Sequence, residues 1–374
     1  MLCASTLAFF LSMSMYFPTL PKEVRALGGS PTVVGVIVGA YSISALFLRP
    51  FTGRFNDTRG RRLFLGAGCV VMLGVSAGLG LFRSLPAFFL VRLAMGLGIA
   101  CYYPAATSLV ADLAPPARRG EILGWFSIFL NLGVALGPFL GETLLAWRGF
   151  GTVCVAGVVL ACVGLVAVSR IHDDRPSVAR LPEGPLLARE ALFPGVVNGL
   201  AAVAYAVASS FVPLWALHVG LRNSGVFFLV FAGTIVAVRP VAGRLSDTRG
   251  RRVTCIPGLF LCGVSMLVLA AIPSVFGILM AGGILGLAWG ALVPGLTAFT
   301  LDRVPETRRG STMGTFTAFV DLGIGGGAWI IGALVDAFDF RPTFVLASLP
   351  CFAGAILFTW LTRPATAPTG AVVA

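Results

Sequence analysis

Residues Arg49–Arg62 read RPFTGRFNDTRGRR, and Arg239–Arg252 read RPVAGRLSDTRGRR. The two stretches agree at ten of fourteen positions and stand 190 residues apart in a chain of 374. The second half of the chain is therefore a copy of the first. The copied stretch is short, cationic and glycine-bearing, and long apolar runs flank it on both sides. Duplicated apolar halves with basic loops at matching places are the layout of a membrane transporter built from repeats.

Composition leads to the same class. The chain is 57% hydrophobic and 11% charged, with a mean hydropathy of +0.94, whereas a soluble domain carries about 25% charged residues. So much apolar surface needs a bilayer as its solvent. The net charge of +12 sits in short loops between apolar runs, not on one basic face. It reads as topology information and argues against a nucleic-acid partner. The eight cysteines fall inside apolar runs without a CxxC pair, so neither disulfides nor a metal site are expected. The first apolar run starts at Leu2, with no cationic region or small-residue cleavage site before it, so no removable signal peptide is expected.

A membrane-spanning helix needs about 20 mainly apolar residues. Twelve segments qualify: 2–20, 32–52, 63–82, 86–110, 121–145, 150–169, 193–215, 225–242, 253–272, 275–300, 312–335 and 343–362. With a cytoplasmic N-terminus, twenty arginines fall on the cytoplasmic side, counting Arg49 and Arg239 at helix ends. Six Lys/Arg fall on the other side, and Arg92 is left inside the fourth segment. This bias places both termini in the cytoplasm. The 190-residue register also pairs Asp112 with Asp302, Pro104 with Pro294, Gly96 with Gly286, Gly133 with Gly323 and Gly137 with Gly327. The predicted fold is all-α: twelve transmembrane helices in two pseudo-symmetric six-helix bundles, 1–169 and 193–374, joined by a cytoplasmic linker over 170–192.

The loop Gly53-Arg54-Phe55-Asn56-Asp57-Thr58-Arg59-Gly60-Arg61-Arg62 resembles the signature between helices 2 and 3 of the major facilitator superfamily, G-x-x-x-D-R-x-G-R-R/K. Thr58 replaces the usual basic residue. The stretch Gly243–Arg252, with Asp247, Gly250 and Arg251, repeats the pattern. Arg92-Leu93-Ala94-Met95-Gly96-Leu97-Gly98-Ile99-Ala100 is similar to the R-x-x-Q-G-x-G-x-A pattern of proton-coupled members, with Met95 in place of Gln. Gly124, Gly133, Gly137-Pro138 and Gly141 are similar to the antiporter signature of drug–proton exchangers, with Glu142 where a second Gly usually closes it. The resemblance implies the major facilitator fold and the efflux branch. It also implies a bacterial cytoplasmic (inner) membrane location and a cytoplasmic latch at Asp57 with Arg59, Gly60, Arg61 and Arg62, of which Asp247 is the weaker twin.

Coupling residues are sought where the repeat fails. An arginine at mid-membrane costs roughly 2.5–3.5 kcal/mol on insertion scales, so Arg92, whose counterpart is Gly282, needs a partner or a wet cavity. Asp321, counterpart of Asn131, is a carboxyl in apolar surroundings, which suits a proton carrier. Glu142, counterpart of Gly332, is the second such candidate and the more exposed. Gly133, Gly137 and Gly141 line one helix face and predict a tight interface between the halves. Pro138 would bend that helix. Asn131, Tyr102, Tyr205 and Trp289 are candidates to line a central cavity, alongside Tyr103, Trp125, Phe126, Phe211 and Trp215.

The leading functional expectation is proton-coupled efflux of small hydrophobic or amphipathic compounds by alternating access. An uptake symporter or facilitator for a polar metabolite is the alternative. An enzyme would need clustered intramembrane His, Asp, Glu or Cys, and no nucleotide-binding P-loop occurs. No cofactor is expected beyond the proton gradient. The expected partners are the bilayer, protons and a small-molecule substrate, and one chain already holds both halves of a functional monomer.

Overall fold

The computed structural model describes residues 1–115, 119–171, 188–305 and 308–362, and describes the backbone alone at 49–59, 111, 119–121, 123, 124 and 310. Among the described residues the chain forms fourteen helices. They are α1 (Leu2–Ser14), α2 (Tyr16–Ala26), α3 (Pro31–Arg59), α4 (Arg61–Leu81), α5 (Leu85–Leu113), α6 (Arg119–Arg148) and α7 (Phe150–Ser169). The second half forms α8 (Arg189–Ser210), α9 (Val212–His218), α10 (Gly225–Arg249), α11 (Arg252–Ala271), α12 (Val275–Leu301), α13 (Arg309–Phe338) and α14 (Phe340–Leu361). They make twelve candidate membrane spans, the first running through α1 and α2 as Leu2–Ala26. Helices suit this solvent because each satisfies its backbone groups internally.

The two interruptions have one cause. Pro18 offers no N–H to the carbonyl of Ser14, where α1 ends, and Pro213 offers none to Ser209 beside the break between α8 and α9. Four sharp turns show the duplication in the backbone itself. Gly60 and Gly250 end α3 and α10 with φ of 90° and 87°, in the left-handed region that favours glycine. Gly149 and Asp339, also 190 apart, have φ of 82° and 67°. The aspartate holds this conformation while its carboxylate accepts from the Phe340 N–H at 2.7 Å.

Helix ends correct the sequence reading. The segments predicted at 32–52 and 225–242 extend to Arg59 and Arg249, because Pro50 and Pro240 do not stop a membrane helix, whereas the glycine turns do. Arg49 and Arg239 therefore lie inside helices, not at their ends.

Packing follows the repeat. In the first bundle α3 and α4 pack on α5, α4 on α7, and α1 on α6 and α7; in the second α10 and α11 pack on α12, α11 on α14, and α8 on α13 and α14. The tightest approaches recur as well. A Cβ on Gly96 would stand 2.3 Å from the carbonyl oxygen of Tyr41, and one on Gly286 would stand 2.3 Å from that of Phe231, the residue 190 further on. Both carbonyls are backbone, so neither can step aside cheaply. Gly96→Ala and Gly286→Ala should each destabilise the protein by about 1–3 kcal/mol through overpacking. Gly74→Ala, where a Cβ meets nothing within 4 Å, should leave the thermal unfolding midpoint of the purified protein unchanged or raised.

Candidate functional site: the seam and the cleft between the bundles

The bundles meet along two seams, α3 with α13 and α6 with α10. The 190-residue offset turns one seam into the other. At the first, a Cβ on Gly35 would lie 2.1 Å from the Ala328 oxygen, one on Gly39 2.6 Å from the Gly325 oxygen, and one on Gly332 2.6 Å from the Pro31 oxygen. At the second, a Cβ on Gly225 would lie 2.5 Å from the Phe139 Cα. Backbone touches backbone at both.

These contacts lie at the membrane face opposite the arginine-rich loops, here called the far face. The hydrogen bonds that join the bundles there begin with the Thr32 N–H, which donates to Asp336 Oδ2 at 2.8 Å. The Thr32 hydroxyl donates to the same oxygen, and Trp329 Nε1 donates to the Val36 oxygen at 3.2 Å. At the α6–α10 seam, Glu142 is 2% exposed and accepts from Lys22 Nζ at 2.5 Å within its own bundle. It also accepts from the Ser224 hydroxyl of the other bundle at 3.0 Å. Toward the arginine-rich face the seam helices separate. Ile128 of α6 is 47% exposed, and a Cβ on Gly243 of α10 or Gly314 of α13 would meet nothing within 4 Å. The bundles are thus closed at the far face and divided by a cleft below it.

Aromatic rings from both bundles lie under the closed seam. Phe17 of α2 packs on Tyr41 of α3 at 6.4 Å and edge-on against Tyr205 of α8 at 6.5 Å. Tyr205 stacks on Trp289 of α12 at 5.4 Å and packs on Phe231 of α10 at 6.1 Å. Tyr205 and Trp289 are partly exposed. Tyr102 is not cavity-lining. It is fully buried, stacks on Phe9 at 4.0 Å and donates to Ser5 Oγ at 2.8 Å, because its place on α5 faces α1 within the first bundle.

Arg92 is fully buried. It donates to the Val38 oxygen at 2.9 Å and to Met95 Sδ at 2.8 Å, and lies 4.6 Å from the Tyr41 ring centre. A backbone carbonyl and an aromatic face therefore compensate its charge in place of a carboxylate, and its Nε has no hydrogen-bond partner. In the second bundle, the Phe227 ring lies 2.9 Å from a Cβ on Gly282, the counterpart of Arg92. The same volume thus holds a ring in one bundle and a guanidinium in the other. Asp321 on α13 is 6% exposed. Asn131, its counterpart, turns its amide onto the Ser127 oxygen of its own helix at 2.6 Å.

Three expectations change. Glu142 is the better buried of the two carboxyl candidates, since the ammonium of Lys22 covers it. The glycine stripe of α6 does not face the other bundle. Cβ atoms on Gly133, Gly137 and Gly141 would strike Phe10 Cβ at 2.7 Å, Ser14 Oγ at 1.9 Å and the Met15 oxygen at 2.6 Å, so the stripe seats α1 and its break, beside Pro138. In the loop motif, the side chains of Asp57 and Arg59 lie outside the described residues, as does Gly53 beyond its helical backbone. Arg61 pairs with Asp112, and Arg62 donates to the Ser169 oxygen at 2.8 Å. In the second copy Arg251 bridges Asp247 and Asp302, the latter at 3.0 Å, and the two carboxylates hold its guanidinium above its ordinary value. These pairs are exposed and tie helices within one bundle, so each contributes about 0–1 kcal/mol. Residues 172–187, the middle of the linker, lie outside the described residues. Lys22, Thr32, Ser224 and Asp336 were missed. Their only sequence signal was polarity at the outer ends of apolar segments, which topology alone explains.

Two repeat-related seams between two bundles that share twelve spans are the layout of a secondary transporter. The family model described as Major Facilitator Superfamily matches residues 2–238 and 195–373. The chain belongs to that superfamily. It is 22% identical to the staphylopine export protein of Staphylococcus aureus, over 98% of this chain and 96% of that one. It is 25% identical to the multi-drug resistance efflux pump PmrA homolog of Lactococcus lactis, over 90% of this chain and 88% of that one. Among solved structures it resembles the nucleoside transporter NupG, with a TM-score of 0.79 at 11% identity, covering 97% of this chain and 99% of that chain. It also resembles a bacterial homolog of the human lysosomal transporter Spinster in an inward-facing conformation, with a TM-score of 0.77 at 16% identity, covering 96% and 95%.

The buried ion pair at the far face has a thermodynamic signature. Removing one partner leaves a buried charge, which typically costs about 3–5 kcal/mol, whereas apolar replacement of both is often neutral. Lys22→Met should therefore lower the thermal midpoint strongly, and Lys22→Met combined with Glu142→Leu should recover most of the loss.

Proposed function

We propose that this transporter exports small hydrophobic or amphipathic compounds in exchange for protons, by alternating access, from the cytoplasmic membrane of a bacterium. The arginine-rich face is then the cytoplasmic one, with both termini on it, and a single chain forms the working unit with no cofactor but the proton gradient. The observation that carries this reading is the burial of three ionisable side chains within the spans: Arg92, Glu142 and Asp321 are 0%, 2% and 6% exposed. Intramembrane ionisable groups are costly, and they mark ion and substrate pathways. The export and efflux named for two relatives, which align with this chain over most of their length, support the direction.

The geometry suggests how the steps divide. Glu142 accepts from both bundles at the far-face seam, from Lys22 and from Ser224. A proton on this carboxyl removes the acceptor charge that holds both donors, and so loosens the seam. Asp321 lies on α13, whose far end carries Asp336 in the other seam. A proton arriving from the far side at either carboxyl thus acts on a seam helix. Tyr205 and Trp289 offer stacked rings at the top of the cleft to an apolar body. The membrane potential adds about 2.3 kcal/mol per charge per 100 mV.

Proteoliposomes with an imposed pH gradient and a panel of dyes test the reading. Efflux that collapses when the gradient is dissipated is the expected result, and gradient-independent equilibration would overturn proton coupling. In the same assay Arg92→Ala, at preserved folding, should abolish gradient-driven transport. Asp321→Asn and Glu142→Gln should separate the coupling carboxyl from the structural one, and full gradient-driven activity in both would remove both from the mechanism.

A further inference from the structure

Arg239 is a cation inside a candidate membrane span that forms no ion pair among the described residues. It stands ten positions before Arg249, the last residue of α10, which is about 15 Å along a helix axis. Its Nε is buried and has no hydrogen-bond partner among the described residues. Arg92, the other described arginine deep within a span, spends its donors on Val38 and Met95 and lies against the Tyr41 ring. Arg239 has no comparable set.

Its position on the helix excludes the lipid side. Residues 235, 239, 242 and 246 follow the spacing of one helix face, and Ile235, Ala242 and Ser246 are buried at 7%, 7% and 5% exposure. Val236 and Val241, on other faces of the helix, are 63% and 67% exposed. Tyr103, on α5 of the first bundle, is an ionisable side chain whose field reaches Arg239. Tyr103 is 37% exposed and stands ten positions before Leu113, the last residue of α5, so the two side chains lie at one depth. They come from different bundles, and a Cβ on Gly243, one turn from Arg239 on α10, would meet nothing within 4 Å. Tyr205 and Trp289 lie further from the arginine-rich face and supply an aromatic surface above them.

We infer that Arg239 binds an anionic group on the transported compound, with the Tyr103 hydroxyl as a second donor, so that the substrate is an amphipathic organic anion. This rests on the proposed transport function and narrows its substrate class. A guanidinium suits a carboxylate or sulfonate because its planar fork donates two parallel hydrogen bonds. The apolar body of such a molecule then reaches up to the stacked rings, while its charge supplies the partner that the protein omits. Binding in the cleft also gives the arginine a reason to be there in spite of its burial.

Equilibrium dialysis of the purified full-length protein against a naphthalene sulfonate and a naphthyl trimethylammonium tests this with one apolar body and two charges. The wild type should bind the sulfonate in preference to the ammonium. Arg239→Gln should weaken the sulfonate by roughly 10- to 100-fold, the value of one charged hydrogen-bonded contact, and leave the ammonium unchanged. Arg239→Lys keeps the charge and should retain the preference for the sulfonate. If Arg239→Gln loses both probes through misfolding, Arg239→Lys decides. Equal binding of both probes by the wild type or by Arg239→Lys, or an unchanged sulfonate affinity in Arg239→Gln, would overturn the inference. Transport separates this result from the broader reading. Arg239-dependent sulfonate binding without export counts against efflux alone, and export of the ammonium with no affinity for the sulfonate counts against the anion site alone.

Discussion

Backbone-to-backbone contact at the far face is the constraint on which the rest of the structure depends. Gly35, Gly39 and Gly332 on one seam, and Gly225 on the other, leave no room for a side chain. Lipid offers no hydrophobic drive for helices to associate, so close packing and interhelical hydrogen bonds must supply it. Both are concentrated at this face, in the Thr32–Asp336 and Ser224–Glu142 contacts. Toward the arginine-rich face the seam glycines Gly243 and Gly314 face open space instead, which leaves a cleft on that side. The rings of Phe17, Tyr205 and Trp289 cap that cleft because they stand just below the seam.

The two seams are related by the duplication but are chemically unlike. One is held by a carboxylate that accepts from a threonine, the other by a buried carboxylate that also carries a lysine. A structure with two equivalent gates would open both in response to one signal. In the proposed exchange, a proton on Glu142 would act on one seam more than on the other. The same division of labour recurs inside the bundles, where a guanidinium and the Phe227 ring fill matching volumes beside Tyr41 and Phe231.

Much of the fold was legible in the sequence. Hydropathy located the spans, because apolar length is what a bilayer demands, and the RPFTGRFNDTRGRR repeat with its 190-residue register located the duplication. The candidate site was legible only in part. Arg92, Asp321 and Glu142 stood out as charges in apolar runs, yet their surroundings could not be read. Glu142 looked exposed because it lies near the end of a segment, and its cover is Lys22, 120 residues away. Tyr102 looked like a cavity residue because helix periodicity cannot tell α1 from the cleft. The α6 glycines marked a close contact correctly but not its partner, since a surface without side chains fits any helix that can approach it.

The sequence by itself determined the solvent, the number of spans and the repeat, because each is a property of local composition and of comparison along the chain. Only the tertiary structure decided which charges are compensated. Arg61, Arg251 and Glu142 find partners on other helices, and Arg92 finds a carbonyl and a ring. Arg239 lies within its helix, not at the end, without such a set. Compensation depends on distances of a few ångströms between residues remote in sequence. Burial in low dielectric then sets how much each of those distances matters.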